Sequence, residues 1–265
     1  MDKNSNTYTF IYAAVIVVVV AAALATTSLV LKEPQLKNIE IEKKQNILAS
    51  VNKGAEANTV KDRAAYIESE YAAYIVESFI VNGNGEQKSG NAFDVDMKPE
   101  TDKIKLITAG AANAEALRKD LNLPIFVYKN DDGSKKYIIP VRGVGLWGPI
   151  WGYLSFHDDF NTVYGAIFDH KSETPGLGAE ISRPNFAKQF IGKQIFENGN
   201  FVSIKVIKDG APAGDLHCVD AISGGSITCN AVTAMLHDYL GEYRAYFEKM
   251  QHEKEKTNNN NNVEE

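Results

Sequence analysis

From Phe10 to Leu31 the chain runs for 22 residues without a charge, mostly Val, Ala, Ile and Leu. A helix needs about 20 such residues to cross the hydrocarbon core of a bilayer. No other feature narrows the possible folds so far, because within lipid only a helix or a closed barrel satisfies its own backbone. The run therefore predicts a transmembrane helix, with Tyr8 and Tyr12 suited to the interface. A cleaved leader is the alternative, but leaders have shorter apolar regions and a more basic start than the single Lys3 here. A retained anchor is expected. Charge does not settle its orientation. Lys32, Lys37, Lys43 and Lys44 follow the span, which alone would favour a cytoplasmic C-terminal side, yet that rule is weak for long translocated domains.

The remainder has enough aliphatic and aromatic residues to bury a core. Its acidic balance, 34 Asp and Glu against 28 Lys and Arg, argues against a nucleic-acid face. The two cysteines, Cys218 and Cys229, match no zinc or iron–sulfur spacing. They could pair in an oxidising compartment, but buried free thiols are the expected state. The five histidines are scattered, and no metal site is expected.

After the span, Gln35 to Val51 reads as a charged, stalk-like helix ending at Gly54. A second helix is expected from Asn58 or Thr59, with Asp62 in its first turn. Tyr74 to Val81 reads as a strand, or as a continuing helix. Asn82 to Gly85 is a turn signal, and Ala92 to Met97 alternates as a partner strand would. Glu115 to Leu121 suggests a short helix. Ile125–Tyr128 and Lys136–Val141 flank Asp131-Asp132-Gly133 as a hairpin. Pro149 to Phe156 and Thr162 to Phe168 read as strands, Phe186 to Phe190 as a short helix after Pro184, and Phe201 to Ile207 as a strand.

Three glycine-containing segments carry the candidate chemistry. Gly143 to Gly148 fits G-x-G-x-x-G, with Asp169 downstream, but no amphipathic helix follows to receive a pyrophosphate, so a dinucleotide fold is excluded. His170 to Glu180 is a loop with Gly176 and Gly178 on either side of Leu177. Asp220-Ala-Ile-Ser223-Gly224-Gly225-Ser226-Ile-Thr228 precedes a helix whose apolar face is Val232, Met235, Leu236, Tyr239, Leu240, Tyr243, Tyr246, Phe247 and Met250. Ser226 and Thr228 are both candidate N-caps. A helix start offers unpaired N–H groups and partial positive charge, which suits a phosphate. The plainer alternative is a tight turn and an ordinary cap. A serine-nucleophile elbow is discounted, because Thr228 stands where its last glycine belongs.

The segment at Asp220–Thr228 resembles the covalent flavinylation motif D-x-x-[ST]-G-A-T-x-[ST]. Asp220, Ser223, Gly224 and Thr228 match; Gly225 replaces the usual Ala and Ser226 the usual Thr. Glu173-Thr174-Pro-Gly176-Leu177-Gly178-Ala-Glu180 resembles a second hallmark of the same family, and Gly145-Leu146-Trp147-Gly-Pro-Ile-Trp-Gly a third. Together they resemble the FMN-binding domain in the C subunit of the bacterial sodium-translocating NADH:quinone oxidoreductase. The flavin subunit of the Rnf ferredoxin:NAD complex is similar in plan.

The resemblance implies an α+β fold: an N-terminal transmembrane helix, then an extracytoplasmic FMN-binding domain with a twisted, mainly antiparallel sheet and flanking helices. The segments implied are a tail over 1–9, the span over 10–31, a membrane-proximal α/β segment over 32–140, the flavin domain over 141–250 and a disordered tail over 251–265. It further implies FMN held by a phosphoester to Thr228, near Ser223, Gly224, Gly225 and Ser226, with N–H groups of Gly225 and Ser226 facing the phosphate. Leu177, Gly176, Gly178, Leu146 and Trp147 would meet the ring, and Glu173 and Thr174 its polar atoms. Trp147 reads equally as an ordinary core aromatic. Asp220 would serve recognition by an FAD- and Mg-dependent flavin transferase. Other subunits of the complex and the membrane are the expected partners, with the soluble part on the periplasmic side of the inner membrane. No residue that transforms a substrate is evident, so the chain is expected to relay electrons. A flavin-free, membrane-tethered binding or assembly module is the alternative.

Overall fold

The computed structural model describes residues 6–261. The chain divides into two compact units, one ending at Lys44 and one beginning at Gln45. The first consists of helix α1, Asn6–Ala49, up to that boundary. Its apolar window has no residue buried inside the protein, which is what a helix surrounded by lipid requires. The expected tail over 1–9 is helical from Asn6 onward; residues 1–5 lie outside the described residues. The expected stalk is not a separate helix. α1 runs through Pro34, which costs one backbone hydrogen bond there, and continues to Ala49.

The second unit follows the sequence in most places. α2 (Arg63–Tyr74) starts one turn later than expected, because Asp62 is its cap rather than part of its first turn; its side chain accepts from the Ala65 N–H at 3.0 Å. β1 (Ile75–Val81) turns through Asn82–Gly85 into the two-residue β2 (Gln87–Lys88). The expected partner strand at Ala92–Met97 is instead a short turn of helix and then the start of α3 (Met97–Thr108), capped by Asp96. The sequence pattern hides α3 because its buried face includes Glu100 and Thr101 as well as Ile104 and Ile107, which interrupts the apolar period.

Then come α4 (Ala114–Asp120), β3 (Leu123–Lys129), β4 (Lys135–Val144), β5 (Pro149–Phe156) and β6 (Val163–His170). The six strands form one antiparallel sheet in the order β2-β1-β3-β4-β5-β6. The expected boundary between 140 and 141 falls inside β4, so the two expected segments share this sheet. Alternation along β3 sends Leu123 and Ile125 to one face and Phe126 and Tyr128 to the other. The second face packs on Ile47, Val51 and Ala92.

The rest of the chain covers the first face. α5 (Pro184–Ala187) is followed by β7 (Phe196–Glu197) paired with β8 (Asn200–Phe201), and β9 (Lys205–Ile207) paired in parallel with β10 (Cys218–Asp220). The strand expected over Phe201–Ile207 is split by Ser203, whose φ of 60° no strand accommodates. α6 (Ser226–Asn261) closes the fold. Its expected apolar face is buried from Val232 to Phe247, with Met250 partly so. Each such large side chain contributes about 1.5–3 kcal/mol. α6 also continues to Asn261, through most of the stretch expected to be disordered; residues 262–265 lie outside the described residues.

Candidate functional site

The sheet and α6 bring the three glycine-containing segments to one place. Gly143–Gly148 forms the β4–β5 hairpin, closed by the Gly145 N–H donating to the Gly148 carbonyl at 2.8 Å, so no helix follows it and the dinucleotide motif is a coincidence of spacing. The loop after β6 lies beside it. β10 delivers the Asp220–Thr228 segment to the start of α6.

Thr228 and Glu173 are the link between them. Thr228 is 2% exposed and donates its hydroxyl to Glu173 Oε2 at 2.6 Å. Glu173 is itself 4% exposed, and its Oε1 accepts from the Trp147 backbone N–H at 2.8 Å. Ser172 completes the tie by donating its hydroxyl to the Trp147 carbonyl at 2.8 Å. No ion pair reaches Glu173 among the described residues. Its two carboxyl oxygens are each met by one hydrogen bond, close to the positive start of α6. Two glycines make room for the pair. A Cβ on Gly178 would overlap Thr228 Oγ1 and Glu173 Oε2, and one on Gly145 would overlap Glu173 Oε1.

Leu177 lies against Gly224 and Gly225, and the loop reaches that position through Gly176, whose φ of 77° favours glycine, as does the 75° of Gly224. Thr174 is exposed, and its carbonyl accepts from the Leu177 and Ala179 N–H groups at 3.1 Å. Around the pair, Leu146, Leu177 and Ile227 are exposed, and Trp147 is 65% exposed. An ordinary core aromatic would be buried, so that alternative for Trp147 fails. Ile227, exposed in the first turn of α6, lies between the motif positions that the sequence singles out.

Several expectations are corrected. Neither Ser226 nor Thr228 is an N-cap: α6 begins at Ser226, and the Thr228 hydroxyl goes to a carboxylate instead of a backbone N–H. The Gly225 N–H cannot face a phosphate, because it donates to the Ile222 carbonyl at 3.0 Å. The donors left without an intrahelical partner are those of Ser226, Ile227 and Thr228. Ser223 is exposed in the turn before them. Asp220 is exposed as well, and its Oδ1 accepts from the Ala211 N–H at 2.6 Å, which fastens β10 to the preceding loop. Cys218 and Cys229 are both free, and burial pushes each thiol up from its ordinary value. Among the described residues no group of three or more His, Cys, Asp and Glu could hold a metal.

The chain is similar to proteins already known. The FMN-binding domain family matches residues 145–241, which takes in the second and third segments and the first from Gly145 onward. A relative from Vibrio vulnificus (strain YJ016), the C subunit of its Na(+)-translocating NADH-quinone reductase, is 32% identical over 83% of this chain and 84% of its own. The protein of the same name from Pseudomonas aeruginosa is 28% identical over 91% of this chain and 94% of its own. A crystal structure of the corresponding protein from Parabacteroides distasonis superposes with a TM-score of 0.67 at 40% identity, covering 82% of this chain and 96% of that one. By sequence along most of its length, by fold and by the domain that holds its site, the chain belongs to the NqrC family, the C subunits of Na(+)-translocating NADH-quinone reductase.

Proposed function

We propose that this chain is the membrane-anchored subunit that carries FMN, esterified to Thr228, as an electron relay in a sodium-pumping NADH:quinone oxidoreductase. Bound there, FMN supplies one- and two-electron redox chemistry that no side chain of the protein offers. The observation that carries this reading is the Thr228 hydroxyl, held in the first turn of α6 among exposed apolar side chains.

The residues suit each part of the cofactor. The free N–H groups of Ser226, Ile227 and Thr228, with the positive end of α6, suit an anionic phosphate. Leu146, Trp147 and Leu177 stand exposed beside that point and suit a flat ring that must remain open to electron donors and acceptors. Gly176, Gly178 and Gly224 keep the loops low around it, while Ser223 and Thr174 offer exposed hydroxyls to a polyol chain. Glu173 is already committed to Thr228 and Trp147, so its role concerns the attachment point more than the ring.

Other subunits of the complex are the partners in electron transfer. An FAD- and Mg-dependent flavin transferase is the partner in maturation, with Asp220 exposed on the motif it would read. The soluble unit would lie on the periplasmic side of the inner membrane, and a reporter fused to the C-terminus is expected to behave as periplasmic; cytoplasmic behaviour would overturn that placement.

The direct test is intact mass and in-gel flavin fluorescence of the protein purified from its native membrane, beside Thr228→Ala. Fluorescence that survives denaturation, with a mass gain of one FMN less one water that disappears in the variant, is expected. A protein without adduct from a host with a working transferase would favour the flavin-free binding or assembly module.

A further inference from the structure

We propose that Glu173 is the base that takes the proton of Thr228 when the flavin phosphate is attached, so that the acceptor chain supplies part of its own modification chemistry. This rests on covalent attachment at Thr228. A threonine hydroxyl is a weak nucleophile until a neighbouring group draws off its proton, and such a base must lie within about 2.6–3.2 Å of the oxygen it serves. Glu173 Oε2 lies 2.6 Å from Thr228 Oγ1 and already accepts its hydrogen. The Trp147 N–H on Oε1 fixes the orientation of the carboxylate, giving the nucleophile, base and orienting group of an activated site.

Among the described residues no other side chain is hydrogen-bonded to the Thr228 hydroxyl; Asp220 Oδ1 accepts from the Ala211 N–H, and His170 Nδ1 accepts the Glu173 N–H at 3.2 Å. The glycines at 145 and 178 keep Cβ atoms out of the space that the pair occupies. Leu177 lies against Gly224, while Glu173, four residues earlier, accepts from the Trp147 N–H.

The donor is a flavin dinucleotide. Thr228 Oγ1 forms a bond to its flavin-side phosphorus, and the anhydride bond to the adenylate breaks. The adenylate leaves as AMP with the bonding electron pair, the hydroxyl proton passes to Glu173 and from there to solvent, and nothing is oxidised or reduced.

The test uses the full chain in detergent, incubated with flavin transferase, FAD and Mg²⁺, with the adduct followed by in-gel fluorescence and intact mass. Thr228→Ala is the blank, and a second acceptor protein checks that the transferase is active. Glu173→Gln keeps the size of the side chain and is expected to slow attachment by about 10²–10⁴-fold with little change in melting temperature. Glu173→Ala is expected to slow it similarly, and added formate should restore part of the rate in that variant alone. Attachment at the wild-type rate in Glu173→Gln would overturn the proposal. A slow but folded Glu173→Ala that formate does not rescue would also overturn it, reducing Glu173 to a positioning residue. No adduct on the wild-type chain while the second acceptor is loaded would instead overturn attachment at Thr228, and this role with it.

Discussion

In the middle of α6, Tyr239, Tyr243 and Phe247 lie inside the core, whereas in its first turn Ser226 and Ile227 face away from the core and Thr228 carries a buried hydroxyl. The polar atoms differ in the same way. Tyr243 donates its hydroxyl to the Pro124 carbonyl at 2.9 Å, and Tyr239 reaches the Met97 carbonyl at 3.0 Å and Thr101 Oγ1 at 2.5 Å. Those bonds tie α6 to the start of β3 and to α3. Two buried carboxylates sharpen the contrast. Glu242 is met by Arg118 at 3.1 Å, a charge answered by a charge. Glu173 is met by a hydroxyl and a backbone N–H. The middle of the helix is thus closed by bonds to backbone carbonyls, a threonine and an arginine, while the first turn ends on a hydroxyl bonded to a loop carboxylate that no ion pair reaches among the described residues.

The comparison breaks most visibly at Tyr243. Truncation to Ala removes a fully buried ring and leaves the Pro124 carbonyl without its donor, a loss of about 3–5 kcal/mol in urea unfolding. Protein that does fold should still accept flavin, since Tyr243 lies about four helical turns from Thr228. A loss below about 1 kcal/mol would mean that the middle of α6 is not the structural half.

Thr228→Val tests the other half. It keeps the volume but deprives Glu173 Oε2 of its donor, so a buried carboxylate is left with one partner. The expected loss is about 1–3 kcal/mol by the same measurement, with Thr228→Ser close to the native chain. A neutral Thr228→Val would show that water reaches Glu173 freely and that the pair is less closed than the 2.6 Å contact implies.

Much of this contrast is legible in the sequence. The period of α6 marks Val232 to Phe247 as a core face, and turn residues at Asn82–Gly85 and Asp131–Gly133 mark two of the hairpins. The three motifs are legible as segments, because glycines and a flanking aromatic leave a local mark. What stays hidden is long-range. Glu173 and Thr228 are 55 residues apart, and no local rule says that a loop carboxylate will end on that hydroxyl. Trp147 reads as core or surface until the hairpin exposes it. α3 escapes the pattern because Glu100 is buried by accepting from Asn122 and Lys103, so a polar residue occupies a core position. The β9–β10 pair is parallel and very short, and Ser203 adopts a backbone conformation its residue type does not announce.

The smallest effect, and the finest test of the contrast, is expected at Glu242. Burial is the main influence on its carboxyl and pushes it above the ordinary 4.5, with Arg118 pulling part of the way back. A folded-state value above the unfolded one means that the native chain holds this proton to higher pH than the unfolded chain does. As pH rises through the window between the two values, the unfolded state therefore releases its proton first, and stability falls. Glu242→Gln removes this titration. Unfolding curves of the two proteins compared from about pH 4 to pH 7 should show the native chain losing ground to the variant as pH rises, then running parallel once both states are ionised. The opposite slope would mean that the Arg118 pair outweighs burial and that Glu242 stabilises α6 in its charged form. In that case the two carboxylates would differ only in partner, and the division between the first turn and the middle of the helix would rest on Tyr239, Tyr243 and Phe247 alone.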